Sequence, residues 1–335
     1  EVKDFFAILH RLHAHGKTII LITHKLDEVL AISDEITVMR NGKKVGDLST
    51  KEATMERIST MMVGRNIVQV EKKENETTDI VLQVSKISLQ MEEKYRIKQL
   101  SLEVRAGEIL GIIGLEGNGQ TELVEILSGL QNISEGTILY KGKDITNLPA
   151  KAIRDHKIGI IPADRKKHGY IHDYSNAENL ILGFHQQPPF CKKSGLFDFA
   201  NIRKFASQLV HKFDVRPALT EVFTGTLSGG NQQKIIIARE FTQNPDLLVI
   251  AQPTRGVDIG SIEFIHQKIM ELRAQGKAIL LISAELAEIR TLSDRAIVLY
   301  EGQISGTVDM NHFDEQEIGL MMTGQYTTHF SSLAT

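Results

Sequence analysis

One stretch decides the fold of this chain, Leu227-Ser-Gly-Gly-Asn-Gln-Gln-Lys234, and it runs directly into the apolar segment 235–241. The two adjacent glycines after Ser228 leave backbone N–H groups uncovered at the start of a helix. These unpaired donors and the positive end of the helix dipole favour an anion at that point. The same letters could also form an ordinary turn with a helix N-cap, so the neighbouring motifs decide between the two.

A second glycine-rich stretch lies upstream, Gly114-Leu-Glu-Gly-Asn-Gly-Gln-Thr121. It joins a strand-like segment to a helix-like one, and it has the P-loop frame G-x-x-x-x-G-K-[ST] with Gln120 at the lysine position. Downstream, Leu247-Leu-Val-Ile-Ala-Gln252 is a short apolar strand that runs into Pro253-Thr-Arg-Gly-Val-Asp258. In this order, the three motifs resemble the nucleotide-binding domain of an ATP-binding cassette (ABC) protein.

The resemblance implies an α/β fold of the P-loop NTPase class, with a mixed sheet core, an antiparallel β subdomain and a helical subdomain. The residues themselves point the same way. Alternating apolar positions in 81–87 and 100–104 predict half-buried antiparallel strands before the P-loop, and 158–161 predicts a core strand. The helical pattern from 162 to about 242 has one apolar face, formed by Ala206, Leu209, Val210 and Phe213.

An internal repeat predicts a further unit. The segment 16–24 matches 276–284 without a gap, and the match continues to Met61 and Met321, so Gly16 aligns with Gly276. The first copy has no P-loop or signature of its own in this sequence, so we interpret the chain as the C-terminal part of a two-cassette protein. The expected domains are the end of a first cassette at 1–66, a linker at 67–79, a second cassette at 80–326 and a tail at 327–335.

Composition limits the function classes. The 335 residues are 41% apolar and 24% charged, the balance of an ordinary globular protein. A net charge of −3 gives no electrostatic footprint for nucleic acid, so no nucleic-acid partner is expected. The single cysteine, Cys191, cannot form an internal disulfide, which favours a reducing compartment. Since no apolar run approaches the ~20 residues of a membrane helix, a link to a membrane must come through a partner.

The second copy departs from the catalytic pattern of the family. Phosphoryl transfer to water needs a lysine on the phosphates, Mg²⁺ held by Ser/Thr and an acidic strand end, and a residue that orients the water. Those positions hold Gln120, Thr121, Ala251, Gln252 and Ala284. We therefore predict a degenerate cassette that does not hydrolyse ATP but binds it weakly through the backbone of its P-loop. Decay of the whole site into scaffold is the alternative.

The family resemblance assigns the remaining site residues. Cassettes pair head to tail, so each ATP lies between the P-loop of one copy and the signature of the other. Tyr95 is the candidate for stacking on adenine, with an ordinary packing or surface tyrosine as the alternative, and Thr121 is the candidate Mg²⁺ ligand. The predicted ATP-binding residues are Tyr95, Gly114, Gly117, Asn118, Gly119, Gln120, Thr121, Ser228, Gly229, Gly230 and Asn231.

The predicted catalytic residues are His24, Ser228 and Gly230. A predicted strand at Ile19–Ile22 would place His24 at its carboxyl end, where open parallel sheets bind ligands, and His24 then resembles the switch histidine of the family. A lone histidine there is more often a surface residue, but the repeat and the Leu-Ile-Thr-His context favour the functional reading. The family also has a nucleotide-sensing glutamine after the strand 158–161, and Ala163 stands in its place.

The motifs further resemble importer ATPases of the simple-sugar class, and most closely their nucleoside-import branch. That resemblance rests on Ala251-Gln-Pro-Thr-Arg-Gly256, Asp164-Arg-Lys-Lys-His-Gly169 and Glu178-Asn-Leu180. It implies ATP-driven uptake of nucleosides, with simple sugars as the alternative solutes. A soluble tandem-cassette factor that acts on ribosomes is an alternative of another class, although the long charged linker usual in such factors does not occur here.

The same resemblance implies the partners and the location. The expected partners are membrane permease subunits and an extracytoplasmic solute-binding protein, and the two cassettes are expected to pair within one chain. The protein would be peripheral, at the cytoplasmic face of the cell membrane. It would be recruited through the helical subdomain near 162–200, where Pro188-Pro189-Phe190 is expected to expose apolar groups.

Overall fold

The structure is a computed structural model, and it describes residues 2–23, 25–40, 42–65 and 77–325. The described residues divide into two compact units. The first holds the residues before 66 together with 257–264, and the second holds the rest. Most of the predicted linker and all of the predicted tail lie outside the described residues.

Before residue 66, the first unit contains a short antiparallel hairpin and three helices around a small core. Its elements are α1 (Val2–Ala14), α2 (Leu26–Ile32), β1 (Glu35–Arg40), β2 (Lys43–Ser49), the 3-10 turn Thr50–Glu52 and α3 (Met55–Val63). Strands β1 and β2 pair with a bulge between Val38 and Met39. The buried core consists of Ile36, Val38, Leu48 and Ile58, so this unit has few apolar groups with which to stabilise itself.

Residues 77–325 contain ten strands and eight helices. The strands are β3 (Ile80–Met91), β4 (Lys94–Arg105), β5 (Ile109–Ile113), β6 (Glu135–Tyr140), β7 (Lys143–Asp144), β8 (Ile158–Ile161), β9 (Leu247–Ala251), β10 (Ala278–Ile282), β11 (Arg295–Tyr300) and β12 (Gln303–Val308). The helices are α4 (Gln120–Leu127), α5 (Ala150–Asp155), α6 (Asn176–Leu180), α7 (Phe199–Lys212), α8 (Gly229–Thr242), α9 (Ile259–Ala274), α10 (Leu286–Leu292) and α11 (Glu315–Met322). A π-helical turn, Arg165–Gly169, and a 3-10 turn, Thr224–Thr226, complete the set.

Two sheets build the second unit. The larger has the order β12-β11-β5-β10-β9-β8, and every pair is parallel except β11 with β12. The smaller sheet is antiparallel, with the order β4-β3-β6-β7. Every residue of β5, β9 and β10 is buried, as expected for strands covered on both faces. The predicted mixed sheet core and antiparallel β subdomain are confirmed.

The two copies of the repeat have corresponding elements. Helix α2 begins at Leu26 and α10 at Leu286, and α3 begins at Met55 and α11 at Glu315. Strands β1 and β2 correspond in the same way to β11 and β12, and both hairpins carry a bulge at the matching step. The repeat is therefore one of structure as well as of sequence.

One part of the repeat differs. Residues 17–23 have no regular secondary structure, so the strand predicted at Ile19–Ile22 is wrong for the first unit. Its Ile20 and Ile22 are 87% and 94% exposed, whereas the matching β10 is buried between β5 and β9. A strand in a parallel sheet needs neighbouring strands that pair with its backbone groups. In the described part of the first unit, β1 and β2 pair only with each other, so residues 17–23 have no strand to pair with there.

Helices α6, α7 and α8 follow β8 in the chain, as predicted for the helical subdomain. The predicted apolar face at Ala206, Leu209, Val210 and Phe213 is buried. The expectation that Pro188-Pro189-Phe190 exposes apolar groups is wrong for Phe190, which is 5% exposed. Its ring centroid lies 4.8 Å from that of Phe205 and 5.7 Å from that of Phe184.

Pro188 and Pro189 are exposed, as expected. Large exposed apolar side chains just beyond Phe190 are Leu196, Phe197 and Phe199. Edge-to-face and tilted contacts with the rings of Phe205 and Phe184 bury Phe190, and the sequence pattern alone does not distinguish it from its exposed neighbours. None of the helices within the described ranges is long and apolar enough to cross a bilayer.

Candidate nucleotide-binding site

The P-loop joins β5 to α4 at the carboxyl edge of the larger sheet. Gly117 and Gly119 have φ angles of +94° and +104°, in the left-handed region that favours glycine. Gly119 is the N-cap of α4 and makes no side-chain cap hydrogen bond. The first N–H groups of α4 are therefore donors for an anion, which is the geometry that a phosphate requires.

Gln120 folds back across this loop. Its Nε2 donates a 3.1 Å hydrogen bond to the carbonyl oxygen of Leu115, and a β-carbon at Gly114 would collide with the same Nε2. The Oε1 of Gln120 is buried and accepts no hydrogen bond within the described part of the chain. A neutral amide thus lies against the loop where a P-loop lysine would carry a charge to the phosphates.

Asn118 has a supporting role that the sequence did not indicate. Its Oδ1 accepts a 3.0 Å hydrogen bond from the N–H of Glu301, and its carbonyl accepts one from the N–H of Gly302 at 3.1 Å. Gly302 in turn lies against the carbonyl of Arg96, which a β-carbon at Gly302 would meet. These contacts fix the P-loop to the β11–β12 turn, and a direct role for Asn118 in nucleotide binding stays a prediction.

The ends of β9 and β10 meet the P-loop in one cleft of about 1640 Å³. Its lining includes Gly114, Gly117, Gln120, Thr121, Ala251, Gln252 and Ala284. Gln252 has a positive φ of +49° and donates its N–H to the carbonyl of Ile282 at 2.8 Å. The positions that the sequence analysis assigned to phosphate and water chemistry are therefore brought together, although none of these seven side chains is charged.

The residues present do not fit a tightly held Mg²⁺. Magnesium in nucleotide sites is usually held by carboxylates together with substrate phosphates, but β9 ends in Ala251 and is followed by Gln252. Thr121 is exposed at the start of α4 and supplies one hydroxyl. In the described ranges, no three His, Cys, Asp or Glu side chains cluster in a way that could hold a metal ion. The role of Thr121 as a metal ligand stays a prediction.

An ion pair that the sequence analysis missed spans this cleft. The Nη1 and Nη2 atoms of Arg255 lie 3.5 Å from the two carboxylate oxygens of Glu116, which is the third residue of the P-loop frame. Both side chains are largely exposed, 60% and 80% respectively, so the pair is weak. The sequence holds one sign of this ion pair. Glu116 is an acidic residue inside a phosphate-binding loop, and since a carboxylate repels phosphate, it needs a different partner.

The signature begins α8. Ser228 is its exposed N-cap, and Asn231 Nδ2 donates to Ser228 Oγ at 2.9 Å. The Oδ1 of Asn231 accepts a 2.8 Å hydrogen bond from the N–H of Arg216, which fixes the amide. Since a serine hydroxyl can accept and donate at once, Ser228 remains able to donate to an external oxygen.

The last residue of the signature is structural. Lys234 is buried, and its Nζ donates to the carbonyl of Asp214 at 2.8 Å and to its Oδ2 at 3.2 Å. Burial alone would raise the pKa of the Asp214 carboxyl, but hydrogen bonding from Arg216 and the charge of Lys234 hold that pKa below its ordinary value. Lys234 thus fastens α8 to the end of α7.

The remaining predicted residues lie apart from the cleft. The lining of the cleft does not include the signature residues Ser228–Asn231, so pairing with a second P-loop stays a prediction.

Tyr95 lies on β4 and is half exposed. The carbonyl of the next residue, Arg96, lies close to the P-loop, since it would be 2.9 Å from a β-carbon at Gly119. Tyr95 is not part of the cleft lining, and its stacking on adenine stays a prediction. His24 lies outside the described residues.

Comparison with known proteins agrees with this geometry. A family model described as ABC transporter matches residues 97–255, from β4 to the loop after β9. The chain is 43% identical over 326 residues both to the nucleoside import ATP-binding protein NupA of Lactococcus lactis and to the guanosine import ATP-binding protein NupO of Bacillus subtilis. The chain is therefore similar, over nearly its whole length, to ATP-binding proteins of ABC importers.

A sugar import protein is also similar to this chain. The glucose import ATP-binding protein TsgD13 of Haloferax volcanii is 40% identical over 329 residues. These matches cover 97% of this chain, which spans 64% of the length of the first two relatives and 60% of the third. A crystal structure of a nucleotide-free ATP-binding cassette from an ABC transporter superposes with a TM-score of 0.60 at 25% identity, covering 73% of this chain and 96% of that one.

Proposed function

We propose that the chain is part of the ATP-binding subunit of an ABC importer that takes up nucleosides. The observation that carries the proposal is the 43% identity, over 97% of the chain, to two proteins named for nucleoside and guanosine import. Simple sugars are the second candidate, because the glucose import protein follows at 40%. ATP supplies the phosphoanhydride whose hydrolysis drives the uptake.

Within this function, the second unit acts as a degenerate cassette. Gln120 offers an amide instead of a cation, and Ala251, Gln252 and Ala284 offer neither a carboxylate nor a histidine to orient water. The glycines of the P-loop and the start of α4 are retained, which supports weak ATP binding through backbone N–H groups. The unit contributes to hydrolysis by presenting Ser228 and the N–H groups of Gly229 and Gly230 to ATP held by another cassette.

The corresponding elements of the two units support a protein with two cassettes that pair within one chain. In that protein, His24 and the signature of the second cassette would serve the same hydrolytic site. The remaining partners are permease subunits and an extracytoplasmic solute-binding protein, which would hold the protein at the cytoplasmic face of the membrane. The exposed side chains Leu196, Phe197 and Phe199 are candidates for the permease contact.

Solute uptake by cells tests the proposal. The gene for the full-length protein is deleted, and uptake of radiolabelled guanosine, uridine, ribose and glucose is compared with that of the parent strain. We expect nucleoside uptake to fall and to return when the gene is supplied again. Loss of sugar uptake alone would favour the sugar importer. Unchanged uptake together with co-sedimentation of the protein with ribosomes would contradict an import function.

A further inference from the structure

The turn after β8 carries an arginine that contacts two other segments around the signature. Arg165 Nη1 donates a 2.6 Å hydrogen bond to the carbonyl of Arg255, and Nη2 donates to the carbonyl of Gly256 at 3.4 Å. Its Nε donates to the Oε1 of Gln232 in α8 at 3.4 Å. One planar guanidinium therefore joins the turn after β8, the loop after β9 and the first turns of α8.

The guanidinium lies directly against the start of the signature helix. A β-carbon at Gly229 would be 2.5 Å from Arg165 Nη2 and 2.7 Å from the carbonyl oxygen of Gly256. No side chain larger than hydrogen fits between these groups without displacing them. Gly229 therefore allows Arg165 to lie within van der Waals distance of the residue that follows Ser228.

The turn that carries Arg165 is itself fixed. Asp164 caps it, with its Oδ1 accepting hydrogen bonds from the N–H groups of Lys166 at 3.0 Å and Lys167 at 3.1 Å. Arginine suits the position because its fork of N–H donors reaches two carbonyls and an amide oxygen at once, which a lysine ammonium on a flexible stem cannot do in the same geometry. The arginine is thus held at its base by the capped turn and at its tip by the loop after β9.

We infer that Arg165 is a positioning residue for the signature, setting the place of Ser228–Gly230 relative to the loop after β9. The inference rests on the proposed function, in which this signature completes a hydrolytic site on another cassette. Arg165 hydrogen-bonds to groups of the protein and not to a nucleotide, so these hydrogen bonds do not depend on what the neighbouring P-loop binds. Ala163, two residues earlier, has no polar side chain and cannot make such hydrogen bonds.

ATP hydrolysis by the full-length protein assembled with its permease tests the inference. We compare the parent with Arg165→Ala, Arg165→Lys and a matched control, Arg203→Ala, which removes an exposed arginine from α7. Since small misplacements of catalytic groups cost up to about 10²-fold in rate, we expect Arg165→Ala to lower kcat at least tenfold while KM changes by a few-fold. Arg165→Lys should recover part of the loss, and Arg203→Ala should stay within twofold.

Hydrogen exchange supplies a readout that does not depend on activity. In the purified protein, Arg165→Ala should speed the exchange of the amides at residues 229–234 at least tenfold, whereas amides in β5 and β10 should keep the parent rates. Unchanged exchange at 229–234 together with an unchanged kcat would overturn the inference. If the parent protein shows neither ATP hydrolysis nor uptake, the proposed function fails, and the exchange rates still decide whether Arg165 positions the signature.

Discussion

The side-chain amide of Gln120 donates a 3.1 Å hydrogen bond to the carbonyl oxygen of Leu115, within its own P-loop. The residue at the lysine position thus satisfies a backbone oxygen instead of presenting a charge to the cleft. Anion binding then depends on the N–H groups of the loop and of α4, which act as partial charges. This arrangement accounts for a cassette that retains the shape of a nucleotide site but lacks its strongest phosphate contact.

Gln120→Lys should therefore strengthen nucleotide binding by the purified protein. A charge-assisted hydrogen bond contributes about 1.5 kcal/mol or more, so we expect ATP to bind roughly tenfold more tightly. Isothermal titration calorimetry measures the change, and Gln120→Met serves as an uncharged control of similar length. Equal affinities for the Lys and Met variants would show that this position does not face the phosphates.

Glu116→Gln should also tighten nucleotide binding. The carboxylate lies in the P-loop frame and pairs with Arg255, so the substitution removes a negative charge from the cleft and releases the guanidinium. Because both side chains are exposed and screened, we expect a gain of about three- to tenfold. Fluorescent-nucleotide titration at low and high salt measures it, with Glu92→Gln in the β3–β4 turn as the control. A gain as large with Glu92→Gln would indicate a general charge effect.

The order of elements around the site could be predicted because each motif lies where a strand or loop leads into a helix, and the residue types at that point identify it in the sequence. Glycines with positive φ mark the P-loop, and Ser228 marks the start of α8. The contacts made by Asn118 and Arg165 could not be predicted, since their partners lie far away in the sequence and are chosen by packing. The pattern at Ile19–Ile22 indicates a buried strand but does not supply the neighbouring strands that would bury it.

Lys234→Met should destabilise the protein. The substitution removes the hydrogen bonds between Lys234 and Asp214, but the Asp214 side chain is about half exposed, 49%. Solvent screening therefore limits the loss in the free energy of unfolding to about 1 kcal/mol. Urea denaturation at neutral pH measures it, and Lys212→Met on the adjacent turn is a control that keeps the Asp214 contacts.

The effect of Lys234→Met should depend on pH. The pKa of Asp214 lies below its ordinary value in the folded state, because the effect of burial is outweighed by hydrogen bonding from Arg216 and the charge of Lys234. The stability that this carboxylate contributes is therefore present above the unfolded pKa and is lost as the pH falls through the lower, folded pKa. The difference between parent and Lys234→Met should narrow as the pH falls below about 4. A difference that widens on acidification would contradict the assigned pairing.

The chain printed here, purified by itself, should not hydrolyse ATP above background. Its P-loop lacks lysine. Ala251 ends β9, and the residues just after β9 and β10 are Gln252, Ser283 and Ala284, so none of these positions holds a carboxylate or a histidine. Release of phosphate from ATP measures turnover, with the buffer alone as the control. Steady turnover that disappears in Gln120→Ala would show that the degenerate cassette is catalytic after all.

In the proposed protein with two paired cassettes, the two nucleotide sites should respond in opposite ways to substitution. Ser228→Arg and His24→Ala should nearly abolish hydrolysis, because the competent site would lose a donor to the developing charge or a γ-phosphate contact, and such donors contribute on the order of 10²-fold in rate. Ala284→Gly should leave turnover within a few-fold of the parent, because nothing catalytic is removed.

The most direct test of this asymmetry compares two variants of the assembled transporter, Gly230→Asp in the signature and Gln252→Ala at the end of β9. Both residues lie in the second unit, and the steady-state rate of ATP hydrolysis is measured for each variant against the parent. We predict a loss of about 10²-fold or more for Gly230→Asp and a change of no more than a few-fold for Gln252→Ala. A Gln252→Ala variant that is nearly inactive, beside a Gly230→Asp variant that hydrolyses ATP at the parent rate, would contradict the account.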